Sequence, residues 1–264
     1  MPLTKSSFSQ ALLRKKIEDY KHKMEFTVLK DSQQAKHGYY KMYDLFSLTT
    51  TEGFYKHGLK DSLWHITRNK ILTSTGSYKN DVATGVWKNY RINKKSGCLI
   101  DSGEYSNGKK INEWAYFDQC SPELKYNYSL KKLIYHLPDS TFYSIISGSD
   151  TLLVVPENPP LHPEGKANFR KKIEMNLRFP REFMTSKNFT RKVTLSFWIT
   201  ESGAVEELTI IKKSEEPFDR EALRVFQQFE KDSWIPAVYN GKPVKSRIIL
   251  PITFSYEGII NMND

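Results

Sequence analysis

The chain is 264 residues long, with 39% hydrophobic and 13% aromatic residues. That length suits one or two domains with a real core, and the composition is too apolar for a disordered chain and too polar for a membrane bundle. A total of 40 Lys and Arg against 30 Asp and Glu leaves a net charge of +10, which suits an anionic partner. The basic residues are spread along the chain, however, without an RNA-binding signature or zinc-finger spacing. The expectation is a basic, well-solvated surface and no nucleic-acid partner.

Residues 1–36 read as an N-terminal segment ahead of any repetitive pattern. Met1 to Met24 offers only Ala11-Leu12-Leu13 before Arg14-Lys15-Lys16, short of the 7–15 apolar residues in the core of a secretory signal. No stretch approaches the roughly 18 apolar residues of a spanning helix, and no lipoprotein-type cysteine stands near the start. As written, the chain is expected to carry neither leader nor anchor, and to be cytoplasmic if Met1 is its native start. The two cysteines, Cys98 and Cys120, lie outside any CxxC pair, which leaves metal and redox-motif readings without support. One disulfide in an oxidising compartment is open to them, but an unpaired buried thiol is the expected state.

From Gly38 to Leu133 the chain repeats. Gly53-Phe-Tyr-Lys-His-Gly58 precedes Trp64, Gly76-Ser-Tyr-Lys-Asn-Asp81 precedes Trp87, and Gly103-Glu-Tyr-Ser-Asn-Gly108 precedes Trp114. In each, an aromatic lies two residues after the first glycine and a tryptophan eleven residues after it. Gly38-Tyr-Tyr-Lys-Met-Tyr43 matches the second half of a unit, and Tyr126-Asn-Tyr-Ser-Leu-Lys-Lys132 is a degenerate further opening. Alternation with period two predicts strands, and Asn80-Asp81 and Asn107-Gly108 predict turns. Each unit is therefore a β-hairpin that buries its aromatic face only by stacking on the next. Trp64, Trp87 and Trp114 are expected as the core of the array rather than as a binding platform. These units resemble the MORN-like repeats of the antitoxin-type family, and 37–148 is assigned to that array.

Residues 149–163 carry Pro156, Pro159, Pro160 and Pro163 and read as a stiff linker. Beyond it, Phe169, Ile173 and Leu177 share a helical face, stopped by Pro180. In the strand from Lys192 to Thr200, Val193, Leu195, Phe197 and Ile199 share a face, and Glu201-Ser202-Gly203 turns the chain into a second strand from Ala204 to Lys213. Pro217 suits a helix start, with Phe218, Ala222, Phe226 and Phe229 as its stripe. Asn240-Gly241 turns into a last strand bearing Ile248, Leu250, Ile252, Phe254 and Tyr256.

No catalytic constellation appears. Of six histidines only His57 and His65 are close in sequence, neither with a matching Cys or carboxylate pattern, and no G-x-S-x-G or phosphate-binding glycine loop is present. The expectation is a protein that is not an enzyme and needs no metal or cofactor.

The segment from Pro160 to Gly258 resembles the C-terminal domain of the energy transducer TonB family. The resemblance is carried by Asn176-Leu-Arg-Phe-Pro180, Gly203, Phe218-Asp-Arg-Glu-Ala-Leu-Arg224, Trp234-Ile-Pro-Ala-Val-Tyr-Asn-Gly-Lys-Pro-Val244 and Leu250-Pro-Ile-Thr-Phe254, in that order. It implies an α+β fold: the hairpin array, then at 164–258 a helix and a ββαβ unit with a three-stranded antiparallel sheet, and a tail at 259–264. It also implies a periplasmic or cell-envelope location and energy-coupled transport across the outer membrane. The implied partners are the N-terminal peptide of an outer-membrane receptor and inner-membrane motor proteins. Unlike a complete member of that family, the chain shows no membrane span and no long proline-rich spacer. The rival expectation is a scaffold that holds a protein partner through the repeats.

Pro251 lies inside the last strand. Proline lacks an N–H and is tolerated only at a sheet edge or bulge, which places this strand at the edge, where a partner strand adds. The candidate partner-binding residues are Lys245, Arg247, Ile249, Pro251 and Thr253.

Overall fold

The computed structural model describes residues 11–256 apart from 94–95, 185–187, 230 and 232. The chain divides into two compact units, Met1–Tyr135 and His136–Asp264.

The first unit is an 11-stranded antiparallel sheet in which every strand neighbours the next in sequence. Its strands are β1 (Leu12–Glu18), β2 (His22–Leu29), β3 (Ser32–Asp44), β4 (Thr49–Lys56), β5 (Leu59–Arg68), β6 (Ile71–Lys79), β7 (Val82–Asn93), β8 (Ser96–Ser106), β9 (Lys109–Asp118), β10 (Ser121–Asn127) and β11 (Lys132–His136). The array thus begins at Leu12, within the segment read from sequence as preceding it. The expected turns form: Asn80 and Asp81 join β6 to β7, and Asn107 and Gly108 join β8 to β9, all four with positive φ. Two central residues at positive φ make the turn whose twist matches that of the flanking strands.

The repeated glycines and aromatics have distinct jobs. The ladder register shifts at Gly53, Gly76 and Gly103, and against each lies the indole of the tryptophan eleven residues on, too close to admit a Cβ. Two residues before each large ring, Gly38, Ser62, Gly85 and Asn112 all have positive φ. The G-x-W half of the motif therefore marks a backbone position that glycine occupies at least cost. The rings form a ladder of edge-to-face contacts, Tyr55–Trp64–Tyr78–Trp87–Tyr105–Trp114, with centroids 4.9–6.1 Å apart, the arrangement that ring quadrupoles favour.

Lysines cap this ladder. Lys36, Lys60 and Lys110 hold their ammonium groups 4.5, 4.8 and 4.4 Å from the ring centres of Tyr40, Trp64 and Trp114, each four residues further on. Ala83 stands at the equivalent place before Trp87. Trp64 and Trp114 are buried as expected, whereas Trp87 is only partly so. A lysine stem lies along the ring it caps, and alanine does not supply one.

The cysteines correct the sequence reading: Cys98 and Cys120 are joined in a disulfide that ties β8 to the β9–β10 turn, with Cα atoms 5.2 Å apart. Antiparallel pairing, not sequence spacing, brings them together.

The second unit contains β12 (Tyr143–Ser147), β13 (Asp150–Val154), α1 (Gly165–Asn176), β14 (Phe189–Ile199), β15 (Val205–Lys212), α2 (Glu216–Gln227), β16 (Ala237–Tyr239), β17 (Lys242–Val244) and β18 (Ser246–Tyr256). Val193, Leu195, Phe197 and Ile199 of β14, Phe218, Ala222 and Phe226 of α2, and Ile252 and Phe254 of β18 form its core with Phe169 and Ile173 of α1. The chain enters β15 through Gly203, where φ is +85° and a Cβ would meet the carbonyl oxygen of Trp234 at 2.1 Å, so only glycine fits.

Two expectations about this unit change. The sheet has five strands rather than three, in the order β13-β12-β18-β14-β15, because the hairpin at 143–154 joins its side. The proline-bearing stretch is also no free spacer: Asp150–Val154 is a strand, Asn158 and Leu161 bridge to Val238 and Ile235, and Leu161 is buried. Pro156, Pro159, Pro160 and Pro163 are themselves buried along with Leu161, and the burial of this apolar surface holds the stretch against the unit. In addition, Asn240-Gly241 closes the short β16–β17 hairpin, and β18 begins only at Ser246.

Candidate functional site

β18 pairs with β14 along eleven residues, from Ser246 opposite Ile199 to Tyr256 opposite Phe189. Its even-numbered side chains face the helices and pack on the core, whereas Ile249, Pro251 and Thr253 are exposed. On its other side β18 meets β12 at one register position, Ile145 opposite Ser246, and Ile146 N–H donates to the Lys245 carbonyl at 2.8 Å. Backbone groups alternate along a strand. Since the Lys245 carbonyl points toward β12, the backbone groups of Arg247, Ile249, Pro251, Thr253 and Ser255 point the same way. Pro251 has no N–H to present there, which is why the sequence tolerates it at this parity.

β12 covers only the start of that edge, because the residues preceding Tyr143 leave the sheet. The strand expected to be an outright edge is therefore paired at Ser246, and from Ile249 to Ser255 no strand among the described residues pairs with its outer side.

The five candidate residues differ in what they have to offer. Lys245 donates to Glu206 and Glu207 of β15 at 2.8 and 2.9 Å. These hydrogen bonds raise its pKa to about 12 and commit the ammonium to the protein's own carboxylates. Arg247 donates through Nε to Ser196 Oγ at 2.6 Å. Ile249, Pro251 and Thr253 offer backbone groups and exposed, uncharged side chains.

At the β12 end of the open edge lies a cavity of about 430 Å³, between the entry to β12, residues 247–251 of β18 and the first turns of α1. Phe142, Leu153 and Ile249 border it and are 64, 68 and 59% exposed. Sequence reading missed Phe142 and Leu153, because nothing in their local pattern announces a neighbour a hundred residues away. Lys166, Arg170 and Arg247 are also on its wall, and none of the described residues that line it is Asp or Glu. Asp139 accepts from Lys166. Burial alone would raise the Asp139 pKa, but Lys166 and the Thr141 and Tyr143 donors hold it well below the usual carboxylate range. A more open groove of about 810 Å³ runs along α2, where Glu221 accepts from Arg178 N–H and Arg224, each at 2.6 Å.

The sequence model of one family, described as Gram-negative bacterial TonB protein C-terminal, matches residues 175–256. The match runs from the end of α1 through β18. No curated protein matches the chain. No helix among the described residues is long and apolar enough to cross a membrane.

Proposed function

We propose that the second unit binds an extended peptide of an outer-membrane receptor as a strand added to β18, linking the chain to energy-coupled transport in the cell envelope. The observation that carries this reading is the unpaired outer side of Ile249 to Ser255, in a strand whose parity is marked by Lys245 and Pro251. Backbone N–H and C=O groups there receive a partner strand, and the alternate side chains set its register. Arg247, Ile249, Pro251 and Thr253 are the contact positions. Lys245 anchors β15 instead of steering the peptide. The family match supports the partner class, and the Cys98–Cys120 disulfide supports an oxidising compartment such as the periplasm.

The test is a titration of receptor N-terminal peptides into the isotopically labelled chain, read by backbone amide shifts. Shifts should concentrate on Ile249 to Ser255. Ile249→Pro removes a second outward N–H, so it should weaken binding about tenfold while leaving the β14 pairing intact, a loss of about 1.4 kcal/mol. Shifts confined to the free side of β15, or no binding by any receptor peptide, would sink the proposal.

A further inference from the structure

We infer that the cavity between Phe142, Leu153 and Ile249 is a side-chain pocket that selects the added peptide, accepting a bulky apolar residue next to an acidic one. This rests on the strand-addition reading, and it names what that strand must carry.

The position of the cavity comes from the sheet. β12 and an incoming peptide occupy the same side of β18, one after the other. β12 holds the edge at Ser246, and the open edge starts at Ile249. A strand laid along Ile249 to Ser255 therefore ends where Phe142 leaves the sheet, at the cavity mouth. The side chain at that end of the peptide stands against Phe142 and Ile249, with Leu153 on the neighbouring β13. Large apolar side chains are seldom left this exposed in a cluster unless something covers them.

Charge defines the second feature. Arg170 and Arg247 lie on the wall of the cavity, where no described lining residue is a carboxylate and Asp139 is engaged by Lys166. A guanidinium pairs well with a carboxylate in a planar, two-bonded geometry, and two of them beside an apolar recess favour Glu or Asp over a neutral isostere. Phe142 and Leu153 lie upstream of the matched segment at 175–256. The apolar half of the selection is thus supplied largely by residues added to the domain, Phe142 just before β12 and Leu153 on β13, whereas Arg247 and Ile249 belong to the domain itself.

The experiment uses the full chain and synthetic peptides that share an alternating Val-Thr core. The core carries Leu-Glu, Leu-Gln, Ser-Glu or Ser-Gln at either end. The Leu-Glu peptide should bind at least tenfold more tightly than Ser-Gln. Phe142→Ser with Leu153→Ser should abolish the preference for Leu over Ser. Both side chains are largely exposed, so the fold should survive, and an unchanged amide spectrum away from the site checks this. Arg170→Glu should abolish or reverse the preference for Glu over Gln. If all four peptides shift the Ile249 to Ser255 amides with equal affinity, the pocket is wrong and strand addition stands. If none shifts them, both fail.

Discussion

The indole of Trp114 lies so close to Gly103 that a Cβ built on the glycine would meet ring atom Cδ2 at 2.2 Å. The ring cannot swing aside freely, since its Nε1–H donates to the Glu104 carbonyl at 3.1 Å and the side chain is fully buried. Gly103→Ala should therefore destabilise the array by about 1–3 kcal/mol, as overpacking does, although alanine favours strands more than glycine does. Urea denaturation of the variant measures it, and an unchanged midpoint would contradict the packing described.

The missing lysine over Trp87 makes the tryptophans unequal. Trp114→Ala should cost about 3–5 kcal/mol, and Trp87→Ala less, because Trp87 is already partly solvated. Ala83→Lys supplies the absent cap and should stabilise the array by about 0.5–1 kcal/mol. It should also reduce quenching of Trp87 fluorescence by acrylamide, a neutral quencher that the added charge does not attract. A destabilised Ala83→Lys protein would show that Ala83 is there for packing.

The disulfide closes a loop of 22 residues in sequence separation. Loop-closure entropy puts its contribution near 3 kcal/mol. The Cys98→Ser, Cys120→Ser double variant should unfold at correspondingly lower urea, and reduction of the wild type should reproduce the loss. Equal stability of the oxidised and reduced forms would overturn this expectation.

Alkaline pH should loosen the array. Burial pushes the Tyr55 phenol up to about 12, helped by Tyr40 and Asp81, and burial also raises Tyr40, Tyr78 and Tyr126. In the unfolded chain these phenols ionise near pH 10. Between about pH 10 and 12 the unfolded state has therefore lost protons that the folded state keeps, and stability falls as pH rises. Lys36 acts in the opposite sense, because burial and then Lys60 lower its pKa, but one lysine faces five tyrosines, since burial and then the hydrogen bond to Glu52 raise Tyr39 as well. Urea midpoints should be level to about pH 9.5 and then decline, with a shallower decline in Tyr55→Phe. A midpoint that rises across this range would refute the balance.

Much of this protein was legible in its sequence wherever the signal was local. The tryptophan and glycine spacing marked the hairpins, because a strand's side chains alternate and a tight turn needs residues that accept positive φ. The buried faces of β14 and α2 followed from periods of 2 and 3.6 residues. Pro251 disclosed the outward parity of β18, since a missing N–H is a property of the residue itself.

What tertiary structure alone decided were relationships between segments far apart in the chain. Cys98 meets Cys120 only because β8, β9 and the following turn pair in one register. Trp87 is left partly bare because Ala83, four residues back on the same strand, supplies no lysine stem, and only the folded ladder shows what that substitution uncovers. The hairpin at 143–154 reaches β18 across about a hundred residues, covering the beginning of the edge and leaving the rest open. No local periodicity encodes such a meeting; it follows from chain closure and from burial of surfaces that find each other only in the folded state.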